Sequence, residues 1–260
     1  MRDGDGPRVR ERTIVLTFDN LGEASALQRG TWDPQTPLGS DPSVTRALPW
    51  LLDALDASGL RATFFVEAIN CELNPEALRA ISARGHELGV HGWEHEEWGG
   101  LDAGTERDLL ARATRAFAAL GLGARGFRPP GGALTHRTPA LLRELGYHWC
   151  SPMSDHGEEA AGMDGLVVVP FDWELVDAYH LMERFGKLRE RRGDGALALS
   201  AEEAGERMAA ALRDGVGLHT VIMHPFLMLD EAWRGQVQRL LEDMAGLGSV
   251  LPGGTFAQQQ

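Results

Sequence analysis

TIVLTFDN, residues 13–20, sets four apolar residues around Thr17 and then stops on Asp19 and Asn20. A short apolar run of this kind reads as a buried strand. Polar groups at the tip of a buried strand need partners, since an unpaired one costs roughly 1–3 kcal/mol. Similar runs recur along the chain: RATFFVE (61–67), HELGVH (86–91), GFRPP (126–130), YHWCSP (147–152), GLVVVPFDW (165–173) and LHTVIMH (218–224). Between them lie amphipathic stretches with helix punctuation. DPSVTRALPWLLDALDASG (41–59) offers Asp41 or Ser43 as cap and puts Leu48, Leu51, Leu52 and Leu55 on one face. NPEALRAISARG (74–85) offers Asn74 as cap and Pro75 in the first turn. Further helices are predicted in 105–121, 135–146, 201–215 and 231–246, whereas 177–200 reads as an irregular excursion. Strands alternating with helices over this length predict an α/β fold with a parallel sheet, closed into a barrel or left open.

If the strands are parallel, Asp19 and Asn20, His91, Arg128 and His224 all fall at carboxyl ends. In such folds those ends share the face on which active sites are built. HGWEH (91–95) adds two histidines four apart, a spacing that puts both imidazoles on one side of a helical turn, within reach of one cation. Ordinary hydrogen-bonded histidines give the same spacing. A third ligand from Asn20 or Asp19 would complete a catalytic metal set.

Composition narrows the function. With 260 residues, 43% apolar and 24% charged, the chain can bury a large core as one domain. A net charge of −13 excludes nucleic acid as a partner, because binding a phosphate backbone requires a basic surface. Lys187 is the only lysine, so amine catalysis and phosphate-loop chemistry have almost no candidate. Cys71 and Cys150 are the only cysteines and are expected as core thiols. Residues 1–12 are charged and are expected to form a flexible tail ahead of a domain over 13–260. Neither a signal peptide nor a membrane span is predicted, which makes the cytoplasm the expected compartment.

The ordered set TFDN, HGWEH, RPPGG (128–132) and an apolar strand ending in His224 resembles the polysaccharide deacetylase superfamily, the NodB-homology enzymes, over most of 13–250. The resemblance implies a distorted (β/α) barrel of about seven strands and hydrolytic removal of acetyl groups from acetylated sugars with a divalent metal, zinc first and cobalt or nickel as alternatives. It makes Asp19 the general base, Arg128 the partner that keeps it ionised, and His224 the general acid. Asn20, His91 and His95 become the metal ligands. Pro129, Trp173 and Asp177 become substrate-side residues, with Asp172 or Asp177 as the acid that orients Arg128 or the site. Trp173 and 218–223 are expected to wall an acyl pocket, and residues 22–42 to form a long loop that can cover it.

Three departures bear on function. Asn20 stands where most members carry a second Asp, which removes a charge from the ligand set; the TFDN form resembles the muramic-acid deacetylase branch. Gly92 replaces the usual Ser or Thr, and HGW with HPF (224–226) resembles the allantoinase and cyclic-imidase branch. With no leader expected, intact cell-wall polymer is a less expected substrate than an N-acetylated amino sugar, glycoconjugate or small-molecule intermediate. A cyclic-amide hydrolase and a barrel that only binds ligand are the alternative readings. His86 is expected to be structural, His136, His148, His180 and His219 to be solvated or core, and Glu94, Glu96 and Glu97 to be solvated.

Overall fold

The computed structural model describes residues 12–154 and 165–260. Its sheet holds β1 (Thr13–Asp19), β2 (Thr63–Val66), β3 (Glu87–Val90), β4 (Ala124–Phe127), β5 (Trp149–Cys150), β6 (Val167–Val168) and β7 (Leu218–Met223) in the order β6-β5-β4-β3-β2-β1-β7. Every pairing is parallel, and an eighth short strand, β8 (Ser249–Leu251), pairs the first half of β1. The sheet curls into a barrel whose last gap, between β6 and β7, is crossed by the Val176–Ile222 bridge and by the Thr220 hydroxyl donating to the Pro170 carbonyl at 2.7 Å. The predicted distorted barrel of about seven strands is the fold observed.

Side chains alternate across a strand, and that parity divides the molecule. Ile14, Leu16 and Phe18 point outward and pack with Leu48, Leu51, Leu52 and Leu55 of the helix Leu48–Ser58 in the main core. Val15 points inward, into a small cluster with Phe65 and Trp149 that fills the barrel. The two rings meet edge to face at 5.2 Å. They fit because β3 and β4 carry glycine opposite them: a Cβ on Gly89 would lie 2.5 Å from the Phe65 ring and one on Gly126 would lie 2.3 Å from the Trp149 ring. Above that aromatic floor, the next inward residues toward the carboxyl ends are Thr17 and Asp19 on β1, Glu67 after β2, His91 after β3, Arg128 after β4, Ser151 after β5 and His224 after β7.

Several local expectations change. The segment 177–200 contains the helices Asp177–Leu181 and Gly186–Arg192, and the helix predicted from 41 begins as a π-helical turn over Ser43–Ala47. Asn74 sits at the N-cap of the helix Pro75–Ala83 as predicted, but its side chain makes no capping bond; its amide donates to Glu23 at 3.2 Å and to Asn70 at 2.8 Å. Of the expected tail, residues 1–11 lie outside the described residues, and Arg12 is tied down, its guanidinium donating to the carbonyls of Gly215, Arg213 and Leu247. Residues 22–42 are pinned rather than free: Glu23, fully buried, accepts the Gly39 N–H and the Asn74 amide.

Candidate active site

The carboxyl ends of the strands converge on a cavity of about 80 Å³ lined by Asp19, Asn20, His91, His95, Arg128 and His224 among others. Pocket walls come from Pro129, Trp173 and Ile222, so two of the substrate-side candidates and one residue of 218–223 reach it. Leu218 lies instead beside the aromatic floor, and no residue of 22–42 lines the cavity. A larger cavity of about 490 Å³ opens around Glu87, His148 and Trp149 at the amino-terminal end of the sheet, away from the convergent polar groups.

Arg128 is the central organiser. It is 1% exposed and its Nη1 donates to Asp19 Oδ1 and to Thr17 Oγ1, both at 2.7 Å. Nε and Nη2 donate to the Ser151 hydroxyl at 3.2 and 2.8 Å, and the guanidinium stacks over the Phe65 ring at 4.3 Å. Burial lowers the Arg128 pKa while Asp19 opposes the shift. One Asp19 oxygen is thereby held, and the other, Oδ2, faces His91 Nε2 at 4.0 Å.

His91 and His95 do meet, with ring centroids 5.1 Å apart, but not on a helix. Residues 91–97 form an irregular loop in which Gly92 has φ +75° and His95 φ +77°. Glu96 shapes the loop by accepting the N–H groups of Trp93 and Glu94 at 2.9 and 2.8 Å, so it is not a solvated charge. The Arg128 carbonyl accepts from His91 Nδ1 at 2.9 Å, which fixes the tautomer and leaves Nε2 with its lone pair toward the site. Burial pushes both imidazoles down to about 3, so they are neutral.

Asp177 is fully buried and faces His224 rather than Arg128 or the cavity. Its Oδ1 takes the His224 Nδ1 and its Oδ2 accepts the His224 backbone N–H at 2.8 Å. Asp172 lies outside the site, paired with Arg192 at 2.8 Å. His86 is structural, its Nδ1 accepting the Ala62 N–H at 3.3 Å.

Sequence reasoning misses Glu67. It is fully buried, its Oε2 accepts the Leu21 N–H at 3.2 Å, and its Oε1 has no partner among the described residues. A carboxylate oxygen of Glu67 and a ring nitrogen from each of His91 and His95 lie within 4.8 Å of one another. Asn20, held at φ +60°, also leaves its Oδ1 buried without a partner among the described residues. Desolvation pushes the Glu67 carboxyl up to about 8. Two neutral imidazoles and a carboxylate oxygen of Glu67 gathered within 4.8 Å suit a divalent cation, which takes N and O donors together.

A family model for polysaccharide deacetylases matches residues 6–150, more than half of the 260-residue chain. The peptidoglycan-N-acetylglucosamine deacetylase of Bacillus cereus is 28% identical over 138 residues, which cover 53% of this chain and 54% of that protein. The crystal structure of a putative polysaccharide deacetylase from Mycobacterium smegmatis aligns with a TM-score of 0.78 at 26% identity over 98% of this chain and 92% of that one. The PuuE allantoinase structure, at 18% identity and a TM-score of 0.72 over 97% and 91% of the two chains, shares the fold. The chain spans between 21% and 54% of the length of the curated relatives it matches. With the family model, the inward-facing Asp19, His91, Arg128 and His224, and the parallel barrel in agreement, the chain belongs to the polysaccharide deacetylase family.

Proposed function

We propose that the protein is a cation-dependent amide hydrolase that removes an acetyl or similar small acyl group from an N-acetylated amino sugar or a related small molecule. The observation that carries this is the convergence, on one cavity, of a carboxylate held by arginine, a neutral histidine pair and a histidine held by a carboxylate. The small cavity supports an acyl group as the part that enters it. A drug-sized ligand needs roughly 300 Å³ or more, so the rest of a sugar would lie along the rim beside Trp173.

The division of labour follows from the hydrogen bonds. Arg128 holds the Asp19 carboxylate in place through Oδ1, which leaves Oδ2 to accept a proton from the attacking water. The hydroxyl so generated adds to the acyl carbon. Asp177 fixes the His224 ring through Nδ1, which leaves Nε2 to deliver a proton to the departing nitrogen as the C–N bond breaks. A divalent cation, zinc first and cobalt or nickel as alternatives, would be held by His91 and His95 with an oxygen from Asn20 or Glu67 and supplies Lewis acidity at the acyl group. Acid and amine are the products.

The test is acetate release from N-acetylglucosamine oligomers by purified protein of known metal content. About one zinc per chain, lost in His91→Ala, and no turnover in a folded Asp19→Asn variant are expected. Turnover retained without Asp19 would remove its role as base. The same small cavity admits a compact cyclic amide, and metal-independent hydrolysis of a ureide by the same preparation would replace the deacetylase reading with that one.

A further inference from the structure

The Asp expected at position 20 would bring one negative charge to the cation, and Asn20 brings none. We propose that the anionic ligand has moved to the neighbouring strand: Glu67, not Asn20, completes the cation site with His91 and His95, giving a two-histidine, one-glutamate set. The inference rests on the cation-dependent reading above and deepens it by assigning the donor that sets the charge of the site.

Three features of the chain support it. First, Glu67 follows Thr63 and Phe65 on the inward parity of β2, so its side chain enters the barrel beside those of Asp19 and His91. Second, the carboxylate is half used. Leu21 donates its N–H to Oε2, which orients the group, while Oε1 is buried with nothing donating to it among the described residues. A buried carboxylate oxygen without a partner costs several kcal/mol unless a proton or a cation satisfies it. Third, the nearest ring nitrogens are of little help as donors. His91 commits its Nδ1 to the Arg128 carbonyl, so Nε2 offers a lone pair, and lone pairs facing a carboxylate oxygen repel it. A cation satisfies the oxygen and both imidazoles together. The donor atoms lie within 4.8 Å of one another, and small side-chain rotations draw them in to the roughly 2.0–2.2 Å that zinc takes with N and O ligands.

The set also accounts for Asn20. With the charge supplied from β2, position 20 needs only a residue that tolerates φ +60°, which Asn does better than most. The competing arrangement is a proton on Glu67 shared with the Asn20 Oδ1, which would leave Glu67 structural.

The experiment titrates zinc into the chelator-stripped chain at neutral pH and fixed ionic strength, by calorimetry, for the parent, Glu67→Gln, Asn20→Ala and Asn20→Asp/Glu67→Gln. Loss of groups that merely orient a ligand costs roughly 10–100-fold in metal affinity. Glu67→Gln is therefore expected to lose at least about tenfold, Asn20→Ala much less, and the double variant to recover by returning the charge to β1. Circular dichroism of the stripped variants checks folding. Crystals of the parent chain soaked in zinc give a readout free of any substitution, an anomalous peak bonded to Glu67 Oε1. Parent-like zinc affinity in folded Glu67→Gln, or a peak bonded to Asn20 and not Glu67, overturns the assignment and leaves the hydrolase reading standing. A parent chain that takes up no zinc, cobalt or nickel overturns both.

Discussion

Arg128→Met tests whether the site is organised around one buried ion pair. Methionine replaces the aliphatic stem and carries none of the donors. The substitution leaves Asp19, 5% exposed, with an unpaired Oδ1, and removes the donors to Thr17 and Ser151. Breaking a buried pair from one side costs about 3–5 kcal/mol, most of it from the charge left behind. In a chain of this size each kcal/mol lowers the melting temperature by roughly 2–4 °C, so a fall of about 6–20 °C is expected. The source of the loss is separable. Adding Asp19→Asn to Arg128→Met removes the stranded charge while keeping the shape, so the double variant is expected to recover at least about half of the lost stability. Urea denaturation of the parent, both single variants and the double variant gives the coupling energy directly. A loss below about 1 kcal/mol in Arg128→Met, or additive losses in the double variant, would refute the reasoning, because either result means that Asp19 carries no buried charge dependent on Arg128.

Three other outcomes are expected. Asp177→Asn keeps the bulk behind His224 but removes the charged acceptor that orients its ring, so kcat should fall roughly 10²–10⁴-fold with little change in the melting temperature; unchanged kcat would detach Asp177 from the site. Gly92→Ala must take φ +75° and would set its Cβ 2.6 Å from Glu96 Oε2, the group that holds the Trp93 and Glu94 N–H groups. A stability loss of about 1–2 kcal/mol with weakened zinc uptake is expected, and parent-like melting and zinc titration would show that the turn does not depend on glycine. In metal-stripped protein, stability should peak near pH 6.5. Burial pushes His91 and His95 down to about 3 and His86 to about 4, so below their ordinary value of 6.5 the unfolded chain binds more protons and stability falls as the pH drops. Glu67 acts oppositely: folded, it keeps its proton up to about 8, whereas the unfolded chain releases it near 4.5, so its contribution is lost as the pH rises through that window. Urea midpoints that rise steadily from pH 5 to 8, or an alkaline decline that persists in Glu67→Gln, would contradict this account.

The parallel strands were legible because buried β-structure demands apolar runs, and the site was legible because each run ends on a polar residue. HGWEH shows where one-dimensional spacing misleads. The i, i+4 pattern predicts a helical turn, yet the rings meet through two left-handed residues and a Glu96 cap, a geometry for which spacing has no signature. The short strand β8 and the helix Asp177–Leu181 span three and five residues, too few for a period to show. Asp177 also pairs with a residue 47 positions away, so its link to His224 depends on how the barrel closes between β6 and β7.

Glu67 is the instructive omission, because the rule that found Asp19 applies to it without change. TIVLTFD and TFFVE are both apolar runs that end on a carboxylate. Counting inward parity from the glycines that admit Phe65 and Trp149 places Gly89 and His91 on β3, and Gly126 and Arg128 on β4, in the same inward rows as Phe65 and Glu67 on β2. A carboxylate two residues above a barrel's aromatic floor cannot reach bulk water, so it must be matched by a cation, a proton or an arginine. Arg128 is spent on Asp19, Thr17 and Ser151, which leaves Glu67 facing the histidines. The loss of a carboxylate at position 20 and the half-satisfied carboxyl at position 67 are therefore two sides of one electrostatic balance, and they become visible together only once the strands are set side by side.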